Sequence, residues 1–308
     1  MLSGGPHDGP PAHSATESRS DPVAAKILDG DALRRTRTAA LAAAVQAFAT
    51  RHGVAPCLAA ILVGDDPASH SYVRSKARDA GRIGIRSETF HLAAATPTAE
   101  LLALIDELNG RPDVHGILQQ VPLPPQIDAE AVFERIDPDK DVDGLTPANL
   151  GRLLRGRAGL VPCTPLGVLA LIDAAGVDIA GSDAVVIGRS TLVGKPTALL
   201  LLQRHATVTL CHSRTADLAH HVRRADIVVS AVGQARLIRR EMVKPGAVVI
   251  DVGVSRVNGA VVGDVDFDGV REVAGAITPM PGGTGPMTRA MLLENTVAAA
   301  RRQLEERS

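Results

Sequence analysis

The sequence predicts an α/β protein with two α/β domains, and three observations support this fold class. The chain has 308 residues, a length that fits two domains of about 150 residues each. Its hydrophobic fraction of 45% comes mostly from Ala, Val, Leu and Ile, which is ample for buried sheets. From about residue 25 onward, short apolar segments alternate with helical patterns. This alternation is typical of a mostly parallel sheet covered by helices on both faces.

The first half contains signals for helices and strands in alternation. An Ala-rich helix is predicted to end at Gly53, and the apolar run 57–64 is predicted to be a buried strand. In the next helix Asp66 can cap the N-terminus, Pro67 suits the first turn and Gly81 can end it. The further predicted elements are the strand "IRSETFHL", the helix "TAELLALIDELNG", the strand "VHGILQQVPLP" and the helix "AEAVFERI".

The segment "PDKDVDGLTPANLGRLLRG" breaks this rhythm, and we place the crossing between the domains near Thr146. The second half has the pattern of a nucleotide-binding sheet. The last segment, residues 285–308, is predicted to be an amphipathic helix that returns to the first domain. The second half begins with the helix "TPLGVLALIDAAG" and has the apolar strands "DAVVIG", "TVTLCH", "ADIVVSAVG" and "AVVIDVGV".

Composition limits the class of protein. Lys+Arg number 33 against 34 Asp+Glu, for a net charge of −1, which argues against a general nucleic-acid binder. No segment resembles a transmembrane span. The three cysteines are far apart and are expected to be reduced thiols of a cytosolic protein, with no metal-ligand spacing. Residues 1–22 are rich in Pro, Gly, Ser and His, and we expect them to form a disordered extension.

A dinucleotide site is predicted by "VVIGRSTLVGKPTALLLL", a variant of the Gly-rich fingerprint. Gly188 suits the tight turn after a strand, and the following helix N-terminus favours a phosphate. The next strand ends in "TLCHSRT", without the acid that usually holds the ribose 2'-hydroxyl of NAD. Ser213, Arg214 and Arg189 instead suit a 2'-phosphate, so NADP is predicted. An ordinary strand-to-helix turn and a solvated arginine are the alternatives.

Three further segments carry candidate chemistry. "QQVPLP" places two amides after an apolar strand, at the end of the sheet where active groups gather. "DKDVDG" resembles a calcium loop, but the twelfth position counted from Asp139 is Leu150 rather than Glu, so we reject that interpretation. A solvated acidic turn and a functional turn both remain open there. The Gly-Pro loop "TPMPGGTGPMT" suits close approach to a flat ligand, with a plain linker as the alternative.

The stretch "SHSYVRSK" contains the single tyrosine of the chain. Tyr72 and Lys76 are four residues apart, so in a helix they lie on the same face. A ring and an ammonium aimed into one space suit an aromatic, polar substrate.

Together these segments resemble the bifunctional methylenetetrahydrofolate dehydrogenase/methenyltetrahydrofolate cyclohydrolase family. The resemblance runs in the family's order from about residue 26 to the C-terminus. It is carried by "GDDPASHSYVRSKARDAGRIGI", "HGILQQVPLP", "KDVDGLTPANLGRL", "PCTPLGV", "VVIGRSTLVGKP", "CHSRT", "VIDVGV", "VVGDVDF" and "TPMPGGTGPMT".

The resemblance implies roles for the candidate residues. Tyr72 would stack on the aromatic portion of folate, Lys76 would be the catalytic group assisted by Gln120, and Asp143 would hold the pterin ring. The substrate-binding set also includes Pro281, Gly282 and Gly283. The implied NADP-binding residues are Gly188, Arg189, Ser190, Ser213, Arg214 and Val254.

The implied chemistry is oxidation of 5,10-methylenetetrahydrofolate with NADP⁺, then hydrolysis of the methenyl product to 10-formyltetrahydrofolate, without a metal. These one-carbon units serve purine and related biosynthesis. Two rivals are a dehydrogenase that lacks cyclohydrolase activity, against which Lys76 and Gln120 argue, and a non-catalytic nucleotide-binding regulator. The regulator would have no reason to keep Tyr72, Lys76, Gln120 and Asp143 together.

The resemblance also implies an architecture. A folate-binding catalytic domain would span 23–145, completed by the helix 285–308, and a Rossmann-like NADP-binding domain would span 146–284. A cleft would separate the two. A cytoplasmic homodimer would form through the nucleotide domain. Thr284 stands where many members have valine, a change expected to alter the folate-facing loop slightly.

Overall fold

A computed structural model describes residues 25–305 of the chain. The expected extension over 1–22 therefore lies outside the described residues. The mixed α/β fold is confirmed, and its main sheets are parallel. No helix within the described range is long and apolar enough to cross a membrane.

The N-terminal half holds a three-stranded parallel sheet in the order β3-β2-β4. All seven residues of the central strand β2 are buried, because helices cover both faces. The elements of this half are β1 (Lys26–Ile27), α1 (Gly30–His52), β2 (Cys57–Val63), α2 (Pro67–Arg82), β3 (Arg86–Leu92), α3 (Thr98–Gly110), β4 (Gly116–Gln119) and α4 (Ala129–Arg135).

The C-terminal half holds a six-stranded parallel sheet in the order β1-β11-β8-β7-β5-β6. A small antiparallel hairpin is formed by β9 and β10. The elements are α5 (Pro147–Leu154), α6 (Cys163–Ala175), β5 (Asp183–Ile187), α7 (Gly194–Gln203), β6 (Thr207–Cys211), α8 (Leu218–Val222), β7 (Ile227–Ser230), a 3₁₀ turn (Arg240–Met242), β8 (Val248–Asp251), β9 (Ser255–Val257), β10 (Ala260–Val262), α9 (Phe267–Val270), β11 (Ala276–Ile277) and α10 (Thr284–Glu305).

Local signals explain where the first helices begin and end. Asp29 caps α1 by accepting a hydrogen bond from the Ala32 amide, and Gly53 ends it in a left-handed conformation. Asp66 caps α2 as expected, accepting from the Ser69 amide at 2.8 Å, with Pro67 as its first residue. The predicted stop at Gly81 falls one residue before the observed end of α2 at Arg82.

Two features link the halves. Strand β1, although N-terminal, pairs with β11 at the edge of the six-stranded sheet. Helix α10 packs mainly against α6 and α1 and also touches β2 and β4. A single apolar cluster with members from both halves, including Leu62, Leu118, Val186 and Leu292, joins them into one packed body. This packing fixes the edges of the cleft between the two sheets.

Candidate functional site: a cleft between the two sheets

A cleft of about 530 Å³ lies between the halves and is lined by residues of both. Four predicted site residues of the first half, Tyr72, Lys76, Gln120 and Asp143, line it together, and Val254 lines it from the second half. The remaining lining residues are Asp66, Ala68, Ser69, Gln119, Val121, Pro122, Leu145, Pro162, Cys163, Thr164, Leu192, Val193 and Thr288.

Lys76 and Gln120 form the polar pair at the centre of the lining. Helix α2 directs Lys76 inward, and only 8% of the residue is exposed. The Gln120 amide N–H donates to the Ile61 carbonyl of β2 at 2.9 Å, which continues the strand pairing beyond β4. The Lys76 Nζ then donates to Gln120 Oε1 at 3.0 Å. Parallel pairing of β2 with β4 thus brings together residues that are 44 positions apart.

Electrostatics make this lysine a candidate for proton exchange. Burial lowers the pKa of the Lys76 ammonium, and the nearby charge of Arg289 adds to that effect, while Asp143 opposes it. Burial raises the pKa of the Asp143 carboxyl, and the charge of Lys76 opposes this rise. The two groups therefore each stabilise the ionised form of the other.

The turn 139–144 is held by buried hydrogen bonds and is not a solvated acidic turn. Lys140 is buried, and its Nζ donates to the carbonyls of Leu108, Asn109 and Arg111 at 2.7 to 3.0 Å. The buried Asp141 carboxylate accepts from the amides of Leu145 and Thr146. These contacts hold the backbone so that Asp143 faces the cleft.

Tyr72 lies on the same face of α2 as Lys76 and is 45% exposed, with its ring at the cleft. A Cβ at Gly285 would lie 3.6 Å from the Tyr72 hydroxyl, so the ring borders the start of α10. Such an exposed ring is available to stack on a flat ligand.

The loop 278–284 is pinned rather than a plain linker. Thr278 Oγ1 accepts from the Asp251 amide at 2.7 Å, and Thr284 Oγ1 donates to the Asp251 carbonyl at 2.8 Å. The Thr284 hydroxyl is thus hydrogen-bonded to the last residue of β8. Pro281, Gly282 and Gly283 are not part of the cleft lining in this structure, although the loop leads into the helix that borders Tyr72.

Cys163 is a cleft residue whose role sequence reasoning missed. It was expected only to be a reduced thiol, yet it is buried at the start of α6, with Sγ 3.2 Å from the Val142 carbonyl oxygen. Burial raises the pKa of this thiol well above its usual value, and the charge of Asp143 adds to the effect. The motif "PCTPLGV" was the available signal, but its position beside Asp143 depends on the packing of α6.

The predicted dinucleotide turn is shaped to admit a phosphate. Gly188 follows β5 with φ +116°, and a Cβ there would lie 2.4 Å from the Ala231 carbonyl oxygen. A Cβ at Gly194 would lie 2.0 Å from the Gly188 carbonyl oxygen. Ser190 Oγ accepts from the amides of Val193 and Gly194, which shapes the turn before α7.

Positive groups surround this turn at the ends of neighbouring parallel strands. Arg189 and Ser190 follow β5 and are exposed, and Ser213 and Arg214 follow β6 and are exposed. Within residues 25–305, neither arginine has a carboxylate within ion-pair distance. Val254, 59% exposed, faces the cleft beyond β8. The cradle and its free guanidinium groups therefore fit a phosphorylated dinucleotide.

Comparison with known proteins agrees with this geometry. The family model of the tetrahydrofolate dehydrogenase/cyclohydrolase catalytic domain matches residues 28–143. The family model of the tetrahydrofolate dehydrogenase/cyclohydrolase NAD(P)-binding domain matches residues 162–304. Together the two matches cover most of the chain.

Curated relatives match over nearly their full length. The bifunctional protein FolD of Geobacillus kaustophilus is 56% identical over 281 residues, which is 91% of this chain and 98% of that protein. The bifunctional protein FolD of Paraburkholderia phytofirmans is 55% identical over 282 residues, again 91% and 98%.

Solved structures are similar as well. The FolD methylenetetrahydrofolate dehydrogenase/cyclohydrolase of Campylobacter jejuni has a TM-score of 0.89 at 48% identity, covering 91% of this chain and 100% of that one. The Trypanosoma brucei enzyme, complexed with NADP cofactor and inhibitor, has a TM-score of 0.88 at 41% identity, covering 92% and 99%. The chain belongs to the bifunctional tetrahydrofolate dehydrogenase/cyclohydrolase family.

Proposed function

We propose that this single cleft performs both reactions of the family, oxidation of 5,10-methylenetetrahydrofolate and hydrolysis of the resulting 5,10-methenyltetrahydrofolate to 10-formyltetrahydrofolate. The observation that carries the proposal is the buried Lys76–Gln120 pair, which lines the same cleft as Tyr72, Asp143 and Val254. A nucleotide-binding regulator would need none of the four residues Tyr72, Lys76, Gln120 and Asp143. The product would supply one-carbon units for purine and related biosynthesis.

Folate binding is assigned to the first half of the cleft. The exposed Tyr72 ring offers a stacking surface to the aromatic part of the substrate. The Asp143 carboxylate can accept hydrogen bonds from adjacent N–H donors of a pterin. Loop residues Pro281, Gly282 and Gly283 complete the proposed substrate set; they precede α10, whose Gly285 borders the Tyr72 hydroxyl.

The turn after β5 and the end of β6 are assigned to NADP⁺. Gly188 and Ser190 would admit the diphosphate near the α7 N-terminus. Arg189, Ser213 and Arg214 would hold the 2'-phosphate, and Val254 would pack beside the nicotinamide. When bound, NADP⁺ supplies the acceptor for the hydride.

Lys76 is the proposed proton-handling group of the hydrolysis. Its lowered pKa allows the amine to take a proton from the attacking water and to return one as the ring opens. Gln120 Oε1 accepts from Nζ and so fixes the direction of the amine. Hydride transfer requires folate to be held in place but requires no proton carried by the protein.

A coupled assay tests the proposal. The full chain is mixed with methylenetetrahydrofolate and NADP⁺, NADPH formation is followed, and the decay of the methenyl chromophore is measured against an enzyme-free blank. We expect both signals. NADPH without accelerated decay would indicate a dehydrogenase only, and neither signal would favour the nucleotide-binding regulator.

The remaining architecture is also a proposal. The domains would span 23–145 with 285–308, and 146–284; contacts of α10 with β2 and β4 support the return of the last helix. A homodimer through the nucleotide domain is supported by exposed apolar residues on the edge strand β6 and on the β9–β10 hairpin, namely Leu210, Val257 and Val261. Light scattering of the purified chain at a known concentration would test it. A cytoplasmic location is supported by the three free, buried cysteines.

A further inference from the structure

Two histidines and one aspartate meet beside the start of α2, outside the residues assigned to either reaction. Asp65 lies between β2 and α2, His70 lies in the first turns of α2, and His91 lies in β3. The Nε2 atom of His70 is 3.6 Å from Asp65 Oδ1, and the Nε2 atom of His91 is 3.2 Å from the same oxygen. All three potential ligand atoms lie within 4.8 Å of one another.

The two nitrogen-to-oxygen distances are close to the edge length of a tetrahedral metal site. Zinc binds imidazole nitrogen and carboxylate oxygen at about 2.0–2.2 Å in a tetrahedron, which separates neighbouring ligand atoms by about 3.3 Å. The two Nε2–Oδ1 distances lie on either side of that value. The Gly64 carbonyl oxygen lies 3.1 Å from His91 Nε2, a hydrogen bond that a bound metal would replace. Water would take the fourth coordination position.

A pair of ordinary surface ion pairs explains the arrangement less well. Both imidazoles aim at one oxygen of a carboxylate whose side chain is 77% exposed, where an ion pair contributes little. The two ring centroids are 4.8 Å apart, so both imidazoles converge on the same point. A single metal ion there would be bound by both Nε2 atoms.

We propose that Asp65, His70 and His91 form a binding site for a divalent first-row metal of the zinc type. Two imidazole nitrogens and one carboxylate favour Zn²⁺, Co²⁺ or Ni²⁺ over Mg²⁺ and Ca²⁺, which prefer oxygen ligands only. Among the described residues, this is the one group of three His, Cys, Asp or Glu side chains whose potential ligand atoms all lie within 4.8 Å of one another.

The site links β3 to the start of the catalytic helix. Asp65 directly precedes Asp66, which caps α2 and lines the cleft, and α2 carries Tyr72 and Lys76. A bound metal would therefore fix the first turn of this helix against the strand. It takes no part in the hydride or proton transfer, so the site stands or falls independently of the proposed reactions.

Metal titration of the untagged, chelator-treated full chain tests the proposal. We expect the visible absorption bands of tetrahedral Co²⁺ to saturate at one equivalent and Zn²⁺ to displace them, with Mg²⁺ ineffective. His70→Gln and His91→Gln should each weaken Co²⁺ binding at least tenfold, with unchanged circular dichroism. Absence of the bands, or wild-type affinity in both variants, would overturn the proposal.

Two controls locate the metal. His220→Gln removes a surface imidazole of α8 that packs against His221, and it should bind Co²⁺ like the wild type. The double variant of His7 and His13 to Gln addresses the histidines of the N-terminal segment and should also bind like the wild type. Loss of the bands in either control would place the metal elsewhere and overturn the assignment.

Discussion

Replacing Lys76 with methionine separates the two proposed reactions. The substitution keeps the approximate length of the side chain and removes the amine. Among residues 25–305 that amine makes one side-chain hydrogen bond, the 3.0 Å contact with Gln120 Oε1, and the residue is only 8% exposed. The variant therefore deletes the proposed proton carrier and should leave the packing of α2 nearly intact.

The size of the effect follows from these contacts. General acid–base catalysis contributes roughly 10²–10⁴-fold to a rate, so cyclohydrolase activity should fall to the enzyme-free blank. Loss of the hydrogen bond costs about 1 kcal/mol of folding free energy. Removal of an amine whose pKa burial has lowered offsets part of that cost. The melting temperature should therefore change by only a few degrees, and a measurable share of dehydrogenase activity should survive.

Residual dehydrogenase activity should also acquire a pH dependence. Burial raises the pKa of Asp143, and the charge of Lys76 limits that rise. Without Lys76 the pKa of Asp143 should rise further, so less of this carboxylate, the proposed pterin acceptor, is ionised at a given pH. Raising the pH restores the carboxylate, and NADPH formation by the variant should increase with pH more steeply than in the wild type.

The assay pairs NADPH formation with decay of the methenyl chromophore, each as a function of pH. Lys244→Met is the matched control, because Lys244 is exposed and pairs with Asp226 far from the cleft lining. It should retain both activities. If Lys76→Met keeps wild-type cyclohydrolase activity above the blank, Lys76 is not the proton-handling group. A residual dehydrogenase activity that decreases as the pH is raised would refute the linkage to Asp143.

Three further outcomes are expected. Arg214→Ala should weaken the binding of NADP⁺ more than the binding of NAD⁺, because only NADP⁺ carries the 2'-phosphate. Equal use of both cofactors by the wild type would contradict the proposed 2'-phosphate site. Tyr72→Phe should lower both activities moderately and Tyr72→Ala should raise KM for folate in both reactions, since stacking needs the ring alone; similar kinetics of the two variants would contradict stacking. Deletion of residues 1–22 should leave both activities and the melting temperature nearly unchanged, and a large drop in melting temperature would show that this segment packs on the body.

Much of the fold follows from local signals in the sequence. The cap Asp66 and the stop at Gly53 act within one helical turn, so their residues predict helix ends without knowledge of the rest. The apolar runs of β2 and β5 are buried by their composition. The same reasoning placed Tyr72 and Lys76 on one face of α2.

Short elements escaped prediction because their stability comes from distant partners. β1 and β11 contain two residues each, and neither has a periodic pattern; they exist because Lys26 pairs with Ala276. Residues 139–144 left a solvated turn and a functional turn equally open. The burial of Lys140 and Asp141 excludes the solvated turn, and the binding role of Asp143 is a proposal.

By itself the sequence determined the α/β class, the helix carrying Tyr72 and Lys76, and a dinucleotide turn followed by a strand without a terminal acid. Periodicity, capping and strand-to-helix turns are properties of contiguous residues, so they are readable in one dimension. Tertiary structure alone decided that Lys76 Nζ reaches Gln120, that Cys163 lies beside Asp143, and that His70 and His91 converge on Asp65. These contacts require β2, β3 and β4 to pair in one parallel sheet and α6 to pack against α10 and β8. Burial, and with it the shifted pKa values of Lys76 and Asp143, arises only when those separate segments exclude water together.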